Sequence, residues 1–429
     1  MNPADVPRDI ASGAAFEMRE GELICEQVPL TTIAERFGTP TFVYSRRAIE
    51  QAYAAYITAL SGRSALVCYA IKANSNLAVL NLLARAGAGF DIVSGGELAR
   101  VLAAGGDPRR TVFSGVGKLD HEIAAALRAN ILCFNVESGA ELEQLARMAA
   151  EAGRRAPISL RVNPDVDPKT HPYISTGLRD NKFGVAYEDT LALYEKAASN
   201  RHLEVVGIDC HIGSQITAVA PYVDAADRIL DVVDALARAG IELHHIDFGG
   251  GLGIRYGEEE PPAIAELIGA LLARVDARGY GRKVLMFEPG RSVVGNAGAL
   301  LTRVNLIKQG STRNFAVVDA AMNDLIRPTL YRAWMDVQPV APRDGARVRY
   351  DVVGPICESG DWLARERDLA IAPGDLLAIL GAGAYAMSMA SNYNSRGRAA
   401  EVIVDGDRAY CVREREAVED LYASESLLP

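Results

Sequence analysis

The sequence predicts an α/β chain, an N-terminal (β/α)8 TIM barrel followed by a C-terminal all-β domain, on three observations. Between about residue 40 and residue 290, eight short apolar runs rich in β-branched residues recur, as strands buried in a parallel sheet do. Amphipathic segments rich in Ala, Leu, Glu and Arg fill the gaps, and such strand–helix alternation implies parallel pairing. After GNAGAL (295–300) the texture changes to short alternating runs separated by Gly, Pro, Asp and Arg, which read as strands of an all-β domain.

The apolar runs are, in order, ALVCYA (65–70), FDIVS (90–94), TVFSG (111–115), LCFNV (132–136), ISLRV (158–162), VVGIDCH (205–211), HHIDF (244–248) and KVLMF (283–287). NLAVLNLLARAG follows the first and GGELARVLAAGG the second, each closed by glycine as helix C-termini often are. Eight such repeats in roughly 250 residues match the size of a (β/α)8 barrel. A doubly wound open sheet shows the same alternation, and the pattern alone leaves that alternative open. The barrel is assigned to residues 41–294, and the β domain to 1–40 with 295–429. Within the latter, RNFAVVDA, RVRYDVVG, DLLAILG and AAEVIVDG read as strands, and ELICEQVPL is expected to lend one more.

With 429 residues, 49% of them hydrophobic and 23% charged, the chain has material for a large core, unlike a disordered sequence. A net charge of -10 argues against a surface that neutralises phosphates, so nucleic acid is not an expected partner. The N-terminus lacks a basic-then-apolar signal organisation, and no apolar stretch is long enough to cross a bilayer, so no membrane partner is expected and the protein reads as cytoplasmic. Its six cysteines have neither CxxC nor disulfide-like spacing, which suits reduced thiols. Cys68, Cys133 and Cys210 lie in apolar runs, as small buried hydrophobes do; Cys357 lies outside one. No metal site is expected.

Working residues of a (β/α)8 barrel follow the strands, because the βα loops form one face. At the eight exits stand Lys72 in YAIKAN, Asp91 with SGGEL, Ser114 in FSGVGK, Asn135 with Glu137, Arg161 in RVNP, His211 in HIGSQ, Asp247 with GGGLG, and Glu288 in EPGR. Singly, each has an ordinary structural reading; their convergence on one rim is what favours function. GGGLG, with Gly250 and Gly251, offers backbone amides without side chains, and a helix is expected after it, an arrangement that suits a phosphate. Gly290, the amide of Arg291 and Ser214 can add to that site. Lys72 as a Schiff-base amine, His211 against a ring face and Glu288 on a ring nitrogen together fit pyridoxal 5'-phosphate.

YAIKAN, SGGEL, HIGSQ, DFGGGLG, EPGR, GPICESGD and GAYAMSMASNYNSR, in that order, resemble the alanine-racemase-like (fold type III) pyridoxal-phosphate decarboxylases, and more narrowly the branch that acts on diaminopimelate. The resemblance runs from about residue 40 almost to the end. It implies a barrel with a C-terminal β domain, and an obligate homodimer in which one subunit's β domain completes the other's active site. It also implies that Lys72 carries the cofactor, that His211 stacks on its ring, and that Asp91, Ser214, Gly250, Gly251, Glu288, Gly290, Arg291 and Tyr385 help to hold it. Substrate contacts carry over to Arg291, Arg327 in LIRPTLY, Tyr331, Glu358 and Tyr385. Arginine suits a carboxylate because its fork donates two parallel hydrogen bonds, and Glu358 can accept from a distal amine.

By the same resemblance, Cys357 arrives from the partner subunit as the acid that protonates the α-carbon after carbon dioxide leaves, and Lys72, His211 and Cys357 form the catalytic set. The implied reaction converts meso-2,6-diaminoheptanedioate to L-lysine. Decarboxylases of ornithine, arginine or D-basic amino acids are the nearest alternative; they commonly have Cys-Asp where this chain has Cys-Glu. A non-catalytic pyridoxal-phosphate-binding protein would lack the β domain, and a racemase would need a tyrosine base where Cys357 stands. The segment Asp165–Gly184 has a composition that permits a lid or a fixed dimer contact.

Overall fold

Strands that are buried on both faces need continuous apolar runs rather than alternation, and the eight runs supply them. The structure is a computed structural model that describes residues 15–168, 170–174, 176–177 and 182–429. The barrel strands are β1 (Ala65–Ala70), β2 (Gly89–Ile92), β3 (Thr111–Phe113), β4 (Cys133–Val136), β5 (Ala156–Asn163), β6 (Leu203–Asp209), β7 (His245–Asp247) and β8 (Val284–Phe287). Each pairs in parallel with the next, from Tyr69↔Phe90 between β1 and β2 to Ile246↔Leu285 between β7 and β8. Parallel pairing of Met286 with Leu66 joins β8 back to β1. The sheet is therefore a closed barrel, which excludes the doubly wound alternative.

Short polar caps turn several strands directly into helices. Ser94 accepts from the amide of Glu97 at 3.2 Å, Ser138 from that of Glu141 at 3.1 Å, and Asn76 from that of Ala78 at 2.9 Å. Each satisfies an amide that the first helical turn leaves without a partner. Inside the barrel, Leu66, Cys68, Val112, Cys133 and Met286 form one apolar cluster. Two residues further along the same strands, and so on the same face, Cys133 and Met286 give way to Asn135 and Glu288, both buried.

The chain falls into two compact units, one of Ala52–Val293 and the other of Met1–Gln51 with Val294–Pro429. In the second, the long strand Gly298–Lys308 pairs antiparallel with Thr41–Ser45, Asn314–Val318 and Leu376–Leu380. Ala400–Asp405 joins the far side of Thr41–Ser45 and turns back into Arg408–Arg413, while Val348–Val353 and Trp362–Leu369 extend the Asn314–Val318 side. Thr41–Ser45 lies in the range that pattern assigns to the barrel, yet it pairs here. All five of its residues are buried, so its composition matches that of a barrel strand. Residues of ELICEQVPL form the strands Glu22–Cys25 and Val28–Pro29 of a separate three-stranded sheet with Phe16–Arg19; the amide of Leu23 donates to the carbonyl of Val340 at 2.7 Å.

Candidate active site

Lys72 stands in a single 3-10 turn, Ile71–Ala73, directly after β1. Its ammonium pairs with Oδ2 of Asp91 on β2. Asp91 is fully buried and its Oδ1 has no partner, whereas the Lys72 side chain stays 36% exposed. A buried carboxylate thus anchors an amine that still opens to solvent.

On the other side of β1, Glu288 follows β8. Its Oε1 accepts from Nδ2 of Asn135 at 3.2 Å, and the same amide group donates to Oγ of Ser114 at 3.1 Å. Carboxyl oxygens of Asp209, Asp247 and Glu288, at the ends of β6, β7 and β8, lie within 4.8 Å of one another, and all three residues are buried. Oδ1 of Asp247 accepts from the amide of Gly249 at 2.8 Å; its Oδ2 and both oxygens of Asp209 have no partner. Burial, then the charges of Asp91, Asp247 and Asp209, push the Glu288 carboxyl well above its usual range. Burial likewise raises Asp247, with Asp209 adding to it, and pushes Asp209 up to about 7 against the pull of Arg161. Desolvation disfavours each charged form and like charges add to that.

His211 follows β6, and its Nδ1 accepts from the amide of Gly250 at 3.2 Å. Burial, with Arg161 and Lys72 nearby, holds the imidazole well below its usual pKa, so the ring is neutral, with its proton on Nε2. Gly249 and Gly251 have φ of +66° and +100°, and a Cβ at Gly249, Gly250 or Gly251 would come within 2.3, 2.0 and 2.1 Å of the carbonyls of Cys210, Glu288 and Gly213. Only glycine fits three such approaches in a row.

No helix follows this loop directly, contrary to the expectation from GGGLG; the next begins at Ile264. Pro261 and Pro262 lie between, and consecutive prolines hold the preceding residues extended. Instead, the short helix Arg291–Val294 begins just past Gly290. From it, Nη1 of Arg291 donates to Oη of Tyr256 at 2.5 Å and Nη2 donates to Oγ of Ser214 at 3.0 Å. The loops after β6, β7 and β8 are joined through this guanidinium. A reachable amine, a glycine cradle and buried carboxylates without a cation of their own fit pyridoxal phosphate in aldehyde, phosphate and ring nitrogen respectively.

A further layer holds the rim. Oε1 of Glu137 accepts from Arg161 at 3.0 Å and from the amide of Gly115 at 2.8 Å, and its Oε2 accepts from the amide of Gly184 at 3.0 Å. Three barrel exits are thereby tied to one carboxylate. Glu137 and Arg161 are visible at the exits in sequence, but their pairing is not, and Asp209 and Tyr256 carry no such signal beyond a charged residue inside the apolar run VVGIDCH. Of the segment Asp165–Gly184, residues 169, 175 and 178–181 lie outside the described residues. Described members bond to the His211 loop, Thr176 Oγ1 donating to the carbonyl of His211 at 2.9 Å and the amide of Ser214 to that of Ile174 at 3.0 Å.

The remaining candidates belong to the β unit. Cys357 and Glu358 are both exposed, in a loop pinned by Asp361, which accepts from the amides of Met322 and Ile356, each at 2.7 Å. The amide of Cys357 donates to Oδ1 of Asn394 at 3.0 Å, and the Tyr393 hydroxyl bonds to Glu358, which raises its pKa. Both partners come from NYNSR, so two distant motifs form one corner. Arg327 and Tyr331 open and close the helix Arg327–Tyr331; Arg327 is buried, with Nη1 at 3.3 Å from Sδ of Met335. Tyr385 has φ +54°, a backbone conformation that non-glycine residues hold at some cost and that gathers at functional sites.

Residues 46–295 match the family model described as pyridoxal-dependent decarboxylase, pyridoxal binding domain. The chain is 62% identical over 414 residues to the diaminopimelate decarboxylase of Pseudomonas aeruginosa, covering 96% of this chain and 99% of that protein. Among solved structures, diaminopimelate decarboxylase from Helicobacter pylori complexed with L-lysine matches with TM-score 0.89 and 42% identity, over 92% of this chain and 99% of that one. The corresponding M. jannaschii enzyme in co-complex with L-lysine gives TM-score 0.93 at 37% identity, over 97% and 99%.

Proposed function

This chain belongs to the pyridoxal-dependent decarboxylases, in their diaminopimelate decarboxylase branch, and we infer that it converts meso-2,6-diaminoheptanedioate to L-lysine and carbon dioxide. That reaction is the last step of lysine biosynthesis. The observation that carries the substrate is the 62% identity to a diaminopimelate decarboxylase along 96% of the chain. Purified enzyme given meso-diaminopimelate is expected to release carbon dioxide and L-lysine in equal amounts; release of carbon dioxide with another product would overturn the assignment.

Bound pyridoxal phosphate supplies the electron sink that accepts the bonding pair left behind by carbon dioxide. The chain's own residues then divide the remaining work. Lys72 would hold the cofactor's aldehyde carbon, and Asp91 would anchor its amine whenever that amine is not bonded to the cofactor. Glu288 holds the proton of the ring nitrogen, without which the ring is a poor sink. His211, kept neutral and oriented by the Gly250 amide, would lie against the ring, with Asp91 beside it. Gly250, Gly251, Ser214, Gly290 and Arg291 take the phosphate, with Tyr385 adding a hydroxyl.

Substrate recognition falls to Arg291, Arg327, Tyr331, Tyr385 and Glu358. Arg327 suits the distal carboxylate, because a buried guanidinium gains most from a planar bidentate partner. Glu358 accepts from the distal amine, and its bond from Tyr393 supports a fixed orientation. Cys357 delivers the proton to the α-carbon. Because Cys357 and Glu358 sit exposed on the β unit, we assign them to the active site of a partner copy, which makes the working enzyme a homodimer with shared sites. We divide the chain functionally into a cofactor-binding barrel, 41–294 less the strand Thr41–Ser45 that pairs into the β sheet, and a β domain of 1–40 with 295–429. We place the enzyme in the cytoplasm, where its free thiols suit a reducing compartment.

A further inference from the structure

The trio Asp209, Asp247 and Glu288 brings more negative charge to the barrel mouth than the proposed ring contact requires. Glu288 alone suffices for a ring nitrogen. Asp209 ends β6 only 1% exposed, and neither of its oxygens has a partner. The cations that face it are already engaged, Lys72 with Asp91 and Arg161 with Glu137 at 3.0 Å. Its other titratable neighbours are Cys133, Cys210 and Tyr194, all buried and held neutral by burial first, and the neutral His211 follows two residues on. Arg161 and Lys72 offset part of the Asp209 charge from a distance, but among the described residues neither is ion-paired to Asp209, each being paired with another carboxylate.

Three adjacent buried carboxylates cannot all be ionised without a cation, because each uncompensated charge costs far more than binding a proton. Carboxyl oxygens of Asp247, Asp209 and Glu288 lie within 4.8 Å of one another. Ionised carboxylates are acceptors only, so two of these groups can hydrogen-bond to each other only when one carries a proton.

We propose that Asp209 is a positioning residue for the cofactor ring: with Asp247 and Glu288 it holds a proton while the site is empty and releases it to solvent as the cationic ring nitrogen docks. The docking ring brings its own N–H and positive charge against Glu288. That charge replaces the stored proton, and the full negative charge of the trio then holds the ring nitrogen protonated. The stored proton belongs to the trio rather than to one residue. The lysine at the aldehyde enters and leaves the exchange with one proton, so the proton released to buffer comes from the carboxylates. This inference rests on the assignment of Glu288 to the ring nitrogen.

The test begins with the full chain stripped of cofactor. Its infrared spectrum at neutral pH is expected to contain the carbonyl band of a protonated carboxyl group, lost when pyridoxal phosphate is added. Calorimetry of that binding in buffers of different ionisation enthalpy is expected to show release of about one proton per chain. Asp209→Asn, which keeps the shape but cannot ionise, is expected to reduce that release severalfold and to lower by about one unit the pH at which the bound ring nitrogen deprotonates. Absence of the band with no proton release in the unaltered enzyme overturns the proposal, as does an Asp209→Asn enzyme with unchanged release. The assignment beneath it fails separately: Glu288→Gln would then leave the ring-nitrogen titration where it was, while the band in the stripped enzyme would persist.

Discussion

The ammonium of Lys72 and the carboxylate of Asp91 form an ion pair across the exits of the first two barrel strands. With Asp91 fully buried, its charge holds the lysine over the barrel mouth. Lys72→Ala is expected to abolish the visible absorbance of the covalently held cofactor, read directly by spectrophotometry. Retention of that band would move the attachment point elsewhere. Asp91→Asn is expected to keep the band and to weaken retention of the cofactor during dialysis, because the amine loses its anchor.

Cys357 lies exposed with its amide on Asn394. Cys357→Ala is expected to keep the cofactor absorbance and slow product formation by about a hundredfold or more, the usual scale for loss of a positioned proton donor. An unchanged rate would remove the thiol from the reaction. Mixing Lys72→Ala with Cys357→Ala subunits is expected to recover activity that neither shows alone, and no recovery after verified subunit exchange would contradict sites shared between chains.

Glu416, just past the strand Arg408–Arg413, holds the loop that leads into Ala400–Asp405. It accepts from the amide of Arg398 at 2.9 Å, from Asn392 at 2.7 Å and from the Arg398 guanidinium at 2.8 Å. Burial opposes ionisation, yet these donors hold the carboxyl down to about 2, from a usual 4.5. A depressed folded-state value stabilises fully above the unfolded one, so this contribution is present above pH 4.5 and fades as pH falls toward 2. Glu416→Gln is expected to cost about 1–2 kcal/mol at neutral pH and to flatten the acid limb of a denaturation series. An equal loss at every pH would contradict the linkage.

Asp209 has the opposite sign. Its carboxyl is raised from 3.8 to about 7, so the stability it contributes is complete below 3.8 and is lost as pH rises through about 7. Cofactor-free Asp209→Asn is therefore expected to be more stable than the unaltered chain near pH 8, by about 1–3 kcal/mol, with the advantage gone near pH 4. Chemical denaturation at the two pH values decides it. A variant less stable at both would show that Asp209 serves packing rather than charge.

How far the sequence foretells this structure depends on whether a feature is local. All eight barrel strands are legible because burial on both faces demands continuous apolar runs, as in ALVCYA and KVLMF. Thr41–Ser45 reads the same way for the same reason, and only its register with Gly298–Lys308 reveals its sheet. The glycines of GGGLG are visible, but their crowding against the carbonyls of Cys210, Glu288 and Gly213 is not, nor is the missing helix. Asp209, Asp247 and Glu288 meet only because the consecutive strands β6, β7 and β8 pair side by side in this register. Likewise, nothing local joins Cys357 to Asn394 or Glu358 to Tyr393. Composition and spacing leave the Cys357 thiol open, and only the ordered motifs, through resemblance, suggest a role for it.

The most direct measurement is carbon dioxide release by one purified preparation from meso-diaminopimelate, ornithine, arginine and lysine, side by side. In the proposed assignment, buried Arg327 takes a second carboxylate and the Glu358–Tyr393 corner a second amine. Leaving a buried charge such as Arg327 without its partner costs about 2–5 kcal/mol, so kcat/KM for diaminopimelate is expected to exceed that for the other three by at least about a hundredfold. Preferential turnover of ornithine, arginine or lysine, or none of diaminopimelate, would contradict the account.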